Sequence, residues 1–317
     1  MPKPKLNRRA AKSLSTGSAL IAALFLMTIM AIIATAMTQQ VRIANGTAEL
    51  IVHYDQLYLA SDLVPLWATR ILQKNKRWFS HSSQHANRIK KFPKNLQKLI
   101  PGIRVQANIY DLQALFNLNN LDDGLYIPTF IRLVETNAPG FTEKNTERLL
   151  SSTIEWITPL DLNTGRSDPA HFYQQLQPPY LAAHQFMQSP SELRLVWGAN
   201  ANILQKLSPL LTALPEKTKI NLNTASPALL QSLGKGLNAE EVDEILQARK
   251  AHGIVSLESI NALLHNFGIL PDSVTLKSNY FLVQIKVSDR MLTLNRNIIF
   301  KYAGKQPLMK IYDASSL

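Results

Sequence analysis

The sequence predicts an α+β fold with a long N-terminal helix and one antiparallel sheet that is split by a mainly helical insertion. Three observations lead there. Val105, Ala107 and Ile109 alternate with polar residues, the mark of a half-buried strand. The same period returns at Val283, Ile285 and Val287 and again at Leu292, Leu294, Ile298 and Phe300. From about 126 to 272 the pattern is helical with proline breaks. Strand material on both sides of a helical block fits one interrupted sheet better than two sequential domains.

The N-terminus is a membrane segment. Residues 19–37 read ALIAALFLMTIMAIIATAM, and no charge falls between Lys12 and Arg42. About 20 helical residues cross a hydrocarbon core of roughly 30 Å. Lys3, Lys5, Arg8, Arg9 and Lys12 precede the run with no acid among them. That bias predicts a cytoplasmic N-terminus and a bulk outside. Two processing routes fit. A secretory signal peptide would be cut near Ala34-Thr35-Ala36, although the apolar run exceeds the usual length. A leader similar to that of type IV prepilins would be cut between Gly17 and Ser18, and the apolar helix would stay. Counted from Ser18, the fifth mature residue is Ala22, where most prepilins carry Glu. A carboxylate in lipid needs a partner, and Ala22 cannot pair with a neighbouring subunit's terminal amine. Either the chain is no pilin, or it sits where no subunit lies above it.

Composition narrows the function classes. The chain has 317 residues and no Cys, which excludes disulfides, thiolate metal sites and cysteine nucleophiles. The net charge of +12 is local: residues 1–17 carry five cations, residues 70–104 carry ten with no acid, and the remainder is slightly acidic. Within 73–98 the sequence is polar, basic and irregular, as expected of a surface loop. His81 and His85 have the i, i+4 spacing of a zinc pair but lack a third ligand. Trp78 and Phe79 among cations could stack bases, while a solvated loop or a contact to acidic headgroups is the commoner reason for such a run.

The other elements follow in order. Leu50, Tyr54, Leu57, Val64, Ala68 and Ile71 continue the first helix at 3–4 spacing, broken at Ser61, with Gly46 and Pro65 expected to bend or loosen it. Tyr54, Tyr58 and Trp67 form a packing stripe. Thr142 caps a helix through Trp156. Residues 159–180, with four prolines, read as a long loop around one short helix. Ser189, Pro190, Ser191 and Glu192 open another segment. Asn238 and Glu241 form a capping box for a helix to Lys250, and Ser256 caps a last helix ending near Gly268. Ser288, Asp289 and Arg290 make a turn, and Met309 and Ile311 a final short strand.

Four stretches together resemble the type II secretion system protein K family, the large minor pseudopilins. They are the Gly17/Ser18 junction with non-acidic Ala22; residues 111–121, DLQALFNLNNL, with Asp111, Asn117 and Asn119; residues 173–198, with Pro179-Tyr180 and then SELRLVWG containing Glu192; and residues 219–225, KINLNTA, with Asn221, Asn223 and Thr224. The resemblance implies a leader at 1–17, a transmembrane helix part at 18–41, a pilin-like α/β domain at 42–125 and 273–317, and an inserted helical domain at 126–272. It also implies association with minor pseudopilins of the I and J type at a pseudopilus tip, maturation by a prepilin peptidase with methylation of the new N-terminus, and residence in the inner membrane with the bulk periplasmic. Some relatives bind calcium in the insertion. The corresponding residues 161–170, DLNTGRSDPA, lack the family's Gly-Ala-Glu-Asp cluster, and two scattered Asp fall short of six to eight oxygen ligands. Some relatives also carry a disulfide that this chain cannot form.

The rival reading is a DNA-binding module. Residues 220–236 resemble helix-hairpin-helix segments, whose Gly-hydrophobic-Gly hairpin lets amides approach phosphate. Here Lys235 replaces the apolar residue between Gly234 and Gly236, and acids outnumber cations over 220–272, which weakens phosphate binding. The segment therefore reads as packing, and no nucleic acid partner is expected. No Gly-rich phosphate loop, Gly-x-Ser-x-Gly elbow or His-Glu-x-x-His occurs, so neither an enzymatic activity nor a small-molecule substrate is expected.

Overall fold

No proline interrupts residues 16–61, and a single helix, α1 (Thr16–Ser61), runs through them. At 1.5 Å per residue its 46 residues extend about 70 Å. Thr28, Thr35, Thr38 and Thr47 donate their hydroxyls to carbonyls three or four residues back, which hides these donors inside an apolar helix. Gly46 does not interrupt α1. One glycine costs about 1 kcal/mol relative to Ala, and the residues around it outweigh that. The computed structural model describes residues 16–74, 87–160, 168–250, 252–302 and 309–316. By contact density the chain forms two units, Met1–Gln56 and Leu57–Leu317.

In the second unit the helix breaks at Asp62, beside the expected Ser61, and resumes as α2 (Leu63–Lys74). Pro65 falls in the first turn of α2, where a missing amide costs nothing. Leu57, Ala60, Val64, Ala68 and Leu72 are buried, and each large apolar side chain among them contributes about 1.5–3 kcal/mol. Trp67 sets its ring edge-on against Phe92 at 5.1 Å.

The expected surface loop at 73–98 is partly a strand, β1 (Arg88–Lys91), followed by a 3-10 turn at Lys94–Leu96. This corrects the sequence reading. Edge strands are short and rich in Lys, so β1 shows no alternation to read. The notional zinc pair His81 and His85, and Trp78 and Phe79, lie outside the described residues. Then come β2 (Arg104–Asp111) and β3 (Phe116–Asn117). The helical block supplies α3 (Ile127–Asn137), α4 (Glu143–Ile157), α5 (Asp168–Gln174) and α6 (Ala201–Leu207). Thr142 caps α4 as expected, while the segment after Ser189 is 3-10 (Pro190–Leu195) with a Ser189/Glu192 capping box.

Two extended pairs inside this block were not legible: β4 (Leu211–Thr212) runs parallel to β3, and β5 (Ile220–Asn221) runs parallel to a later strand. Next are α7 (Pro227–Gln231), capped by Ser226, and α8 (Ala239–Ala248), with the Asn238/Glu241 capping box. The last expected helix is a 3-10 turn (Glu258–Ile260) leading into α9 (Asn261–Phe267), closed by left-handed Gly268. The partner of β5 is β6 (Val274–Thr275). The chain ends in the meander β7 (Tyr280–Ser288), β8 (Thr293–Lys301) and β9 (Met309–Ser316).

The main sheet has the order β1-β2-β7-β8-β9, and every pair in it is antiparallel. Its β2–β7 pairing joins strands on either side of the helical block, as an interrupted sheet requires. The block has its own core, with Phe130, Leu133, Leu149, Trp156, Tyr173, Leu207 and Leu229 buried, and this core takes in Phe116 and Leu118 at one end and Val274 at the other.

Arg296 ties the helix break to the sheet. It is 3% exposed in the middle of β8, where a run of apolar residues would otherwise continue. Its Nε and Nη2 meet Asp313 of β9 at 2.7 and 2.6 Å, Nη1 reaches Asp62 at 2.6 Å and Ser61 at 2.8 Å, and the guanidinium Cζ lies 4.5 Å from the Tyr58 ring centroid. The guanidinium holds Asp313 down to a pKa of about 2. Arg296→Met should cost about 3 kcal/mol at pH 7, because Asp313 loses its two-pronged partner and keeps only Lys310, at 2.9 Å. Asp313 contributes stability above its ordinary value of about 3.8 and loses it as pH falls through about 2. Urea unfolding of residues 42–317 should therefore show the gap between wild type and Arg296→Met narrowing from pH 7 to pH 2. A gap that stays constant with pH excludes this ion pair as its source.

Candidate functional site

Four of the residues that carry the family resemblance, Asp111, Asn221, Asn223 and Thr224, meet in a buried polar network at the end of β2, and Asn117 and Asn119 form a buried group just after it. Asp111 is its centre and is fully buried. Its Oδ1 accepts the Gln113 amide at 2.8 Å. Its Oδ2 accepts Asn221 Nδ2 at 3.0 Å, Thr224 Oγ1 at 2.6 Å and Ser278 Oγ at 2.6 Å. All four donors are neutral. Burial pushes the Asp111 carboxyl above its ordinary range, and hydrogen bonds from Ser278, Thr224, Gln113 and Asn221 oppose that shift. The four donors come from three separate stretches of chain: the turn after β2, the β5–α7 connection and the approach to β7.

Around Asp111, asparagines act as side-chain substitutes for a strand neighbour. One edge of a side-chain amide offers a donor and an acceptor in a plane, which matches the C=O and N–H of a single residue, and the second N–H is left for another carbonyl, as Asn119 uses it on Leu214 O. Asn119 donates to Met187 O at 3.0 Å and accepts Met187 N at 2.8 Å. Asn120 pairs the same way with Thr218, at 2.7 and 2.9 Å, and Asn223 with Ile254, at 3.0 and 2.7 Å. Asn117 accepts Leu214 N at 3.0 Å and donates to Glu216 O at 2.9 Å. Each pair fixes an irregular segment that has no sheet to join.

Glu192 lies apart from this network. Its Oε1 accepts the amides of Gln188 and Ser189 at 2.7 and 3.0 Å, and Oε2 faces Trp156 Nε1 at 3.4 Å. Trp156 belongs to an aromatic group with Tyr173 and Tyr180, in which burial pushes the Tyr173 phenol up to about 12. Gly198, which closes the same motif, has φ +93, and a Cβ there would lie 3.1 Å from the Leu149 amide. Gly17 and Ser18 fall in the first turn of α1, residues 1–15 are outside the described set, and Ala22 is exposed on the helix.

Sequence reasoning missed Arg296, Ser278, Asn120 and Arg249. Arg249 is 3% exposed and donates to the carbonyls of Leu222 and Ala225 at 3.3 and 2.8 Å. Burial lowers its pKa to about 10. Arg296 left a signal: it occupies the inward phase of β8 between Leu294 and Ile298. The others left none, because their partners are remote in sequence.

The arrangement holds segments of the chain together. Among the described residues, the buried side-chain polar atoms without partners are Asn108 Oδ1, Ser152 Oγ and Tyr280 Oη, and none belongs to the network. The residues 161–167 that some relatives would use for calcium are outside the described set. Among the described residues, no group of three or more His, Asp or Glu could hold a metal. The helix-hairpin-helix hairpin also turns its amides inward: Lys235 N donates to Phe267 O at 3.0 Å and Gly236 N to Leu233 O at 2.9 Å. Gly234 sits so close that a Cβ would lie 2.1 Å from Phe267 O. Lys235 Nζ is paired with Glu241 at 3.2 Å. The hairpin amides that would approach phosphate in a DNA binder are spent on packing.

Asn119→Asp is nearly isosteric but sets carboxylate oxygen against two carbonyls. It should cost about 3 kcal/mol at pH 7 and less once the carboxyl is protonated, as read by urea unfolding. A loss under 1 kcal/mol would refute the paired-amide account. Asp111 gives the opposite slope from Asp313. Because its folded pKa is raised, its stabilisation is full below about pH 3.8 and declines as pH rises through the folded value. Asp111→Asn should remove that decline from the unfolding profile.

Residues 114–216 and 220–277 match the family described as type II secretion system (T2SS), protein K. The type II secretion system protein K of Klebsiella pneumoniae is 30% identical over 258 residues, covering 75% of this chain and 76% of that relative. The protein of the same name from Pectobacterium carotovorum subsp. carotovorum is 26% identical over 211 residues, or 59% of this chain, and the match spans 63% of its length, under two thirds. The fold is similar to a chain in the crystal structure of the GspK-GspI-GspJ complex from the enterotoxigenic Escherichia coli type 2 secretion system. The TM-score is 0.59 at 22% identity, with 84% of this chain and 97% of that chain covered. With family matches over half of the chain and a relative 30% identical over three quarters of it, the chain belongs to the type II secretion system protein K family.

Proposed function

We propose that the chain is a minor pseudopilin at the tip of the type II secretion pseudopilus, a non-catalytic subunit that helps start assembly of the fibre. The observation that carries this reading is the pairing of a helix that is long and apolar enough to cross a membrane, with no charge before Arg42, with a protein K head. The domains follow: a leader at 1–17, a membrane part at 18–41, a pilin-like domain at 42–125 and 273–317, and an insertion at 126–272. The solved relative is a complex of GspK with GspI and GspJ, which supports minor pseudopilins of the I and J type as partners here. A prepilin peptidase is the processing partner, and the inner membrane is the site of storage, with the head in the periplasm.

The mechanism rests on two physical features. Ala22 carries no carboxylate, so the subunit enters lipid without an ionisable group that demands a neighbour's amine. The insertion adds bulk at the head, held in place through Asp111, Asn117, Asn119, Asn221, Asn223 and Thr224, and this bulk hinders a further subunit from stacking above. Glu192 keeps the segment at 188–196 shaped within that bulk.

Mass measurement of the mature N-terminus tests the proposal. Cleavage after Gly17 leaves a chain that starts at Ser18, and Gly17→Leu leaves the full-length precursor in the membrane fraction. A start near residues 36–37 makes the mature chain a soluble secreted protein and ends the reading.

A further inference from the structure

The two faces of the main sheet differ in charge. Its strands contain two carboxylates, Asp111 and Asp313. Asp111 lies in phase with the buried Val105, Ala107 and Ile109, and Asp313 lies opposite the buried Ile298. Both are therefore on the inner side, and both are engaged there. The register sets two rows on the outer side. Lys91, Asn108, Gln284 and Asn297 lie across from one another on β1, β2, β7 and β8. Gln106, Lys286 and Asn295 form the next row, with Arg104 beside it. Apart from half-buried Asn108, these residues are exposed.

On this face these two rows hold amides and cations and no acid, and the row beyond them holds Tyr110, Leu282, Ile299 and Tyr312. The acids closest to its ends are occupied: Asp289 accepts the Met291 and Leu292 amides in the β7–β8 turn, and Glu216 pairs with Lys301 at 2.8 Å. Among the described residues, none of the cations from Arg70 to Arg104 pairs with a carboxylate. Lysines on an edge strand serve to block strand pairing, which accounts for β1. It does not account for Lys286, which stands on the central strand β7, or for Arg104 on β2. Within the same face, Asn108 Oδ1 is buried without a donor.

We propose that the outer face of the sheet binds an acidic stretch of polypeptide. The cations attract its carboxylates and steer its approach. The amides, spaced about 4.8 Å apart across strands, offer donors and acceptors in alternation, as peptide groups require. A phospholipid surface would engage the cations and leave the amide acceptors unused. The face belongs to the second unit alone and needs no assumption about the pseudopilus.

The test uses the full chain in detergent micelles and a fluorescent peptide of about ten glutamates, with binding read by anisotropy over a salt series. Affinity should fall steeply with salt. Arg104→Glu with Lys286→Glu should weaken it about tenfold. Gln284→Leu with Asn297→Leu, which changes no charge, should weaken it about threefold. Lys206→Glu with Lys250→Glu, on the helical block, should leave it within about twofold. Loss in this control pair equal to that in the face pair, an unchanged affinity in the leucine pair, or no binding by the wild type overturns the proposal. So does displacement of the peptide by phosphatidylglycerol vesicles acting through Arg104 and Lys286, which assigns the face to a membrane.

Discussion

A carboxylate buried without a cation must be satisfied by neutral donors, and the junction of sheet and insertion is organised around that requirement. Asp111 ends β2 and takes four hydrogen bonds from Gln113, Asn221, Thr224 and Ser278. Those donors lie where the chain leaves the sheet and along the stretches by which it returns. Removing the acceptor would strand donors from three segments at once, each at a cost of about 1–3 kcal/mol. The position of the helical block relative to β2 and β7 is thus set by directional bonds as well as by apolar packing.

The asparagines extend the same logic outward. Segments around 187, 218 and 254 have no strand beside them, yet their backbone groups are buried and need partners. Asn119, Asn120 and Asn223 supply both halves of a strand-like pair from one side chain. An amide does this without charge, so these contacts do not titrate. Asp111 and Asp313 do titrate, and their carboxyls are shifted in opposite directions.

Local signals in the sequence were good guides and remote ones were not. The alternation of Val105, Ala107 and Ile109 and the caps at Thr142 and Asn238 depend on residues within a few positions, and each formed as read, while the turn expected from Ser288 begins at Asp289, because Ser288 still pairs with Thr293. β1 escaped notice because its side chains report an edge and not a core. β3 to β6 are two-residue strands whose existence depends on a partner some 50 to 100 residues away. The Asn-rich run after Asp111 was readable as turn chemistry, but nothing local says that Asn119 meets Met187 or that Asn221 meets Asp111. Arg296 is the instructive miss: a cation in the inward phase of a strand announces counter-charges, and here they are Asp62 and Asp313.

The hairpin at Gly234 shows how a recognisable shape can be turned to another use. Its glycines keep the close backbone approach that such a hairpin needs, since Gly234 has no room for a Cβ. The surface approached is Phe267 of the same chain. The amides of Lys235 and Gly236 end on carbonyls, Lys235 Nζ ends on Glu241 and the Asn266 carbonyl, and Arg249 is buried against the β5–α7 connection. What remains outside on α8 is Glu240, Asp243 and Glu244. α8 therefore presents acids while the open face of the sheet presents cations. A head with its charges sorted in this way can hold two partners of opposite sign without either competing for the other's face.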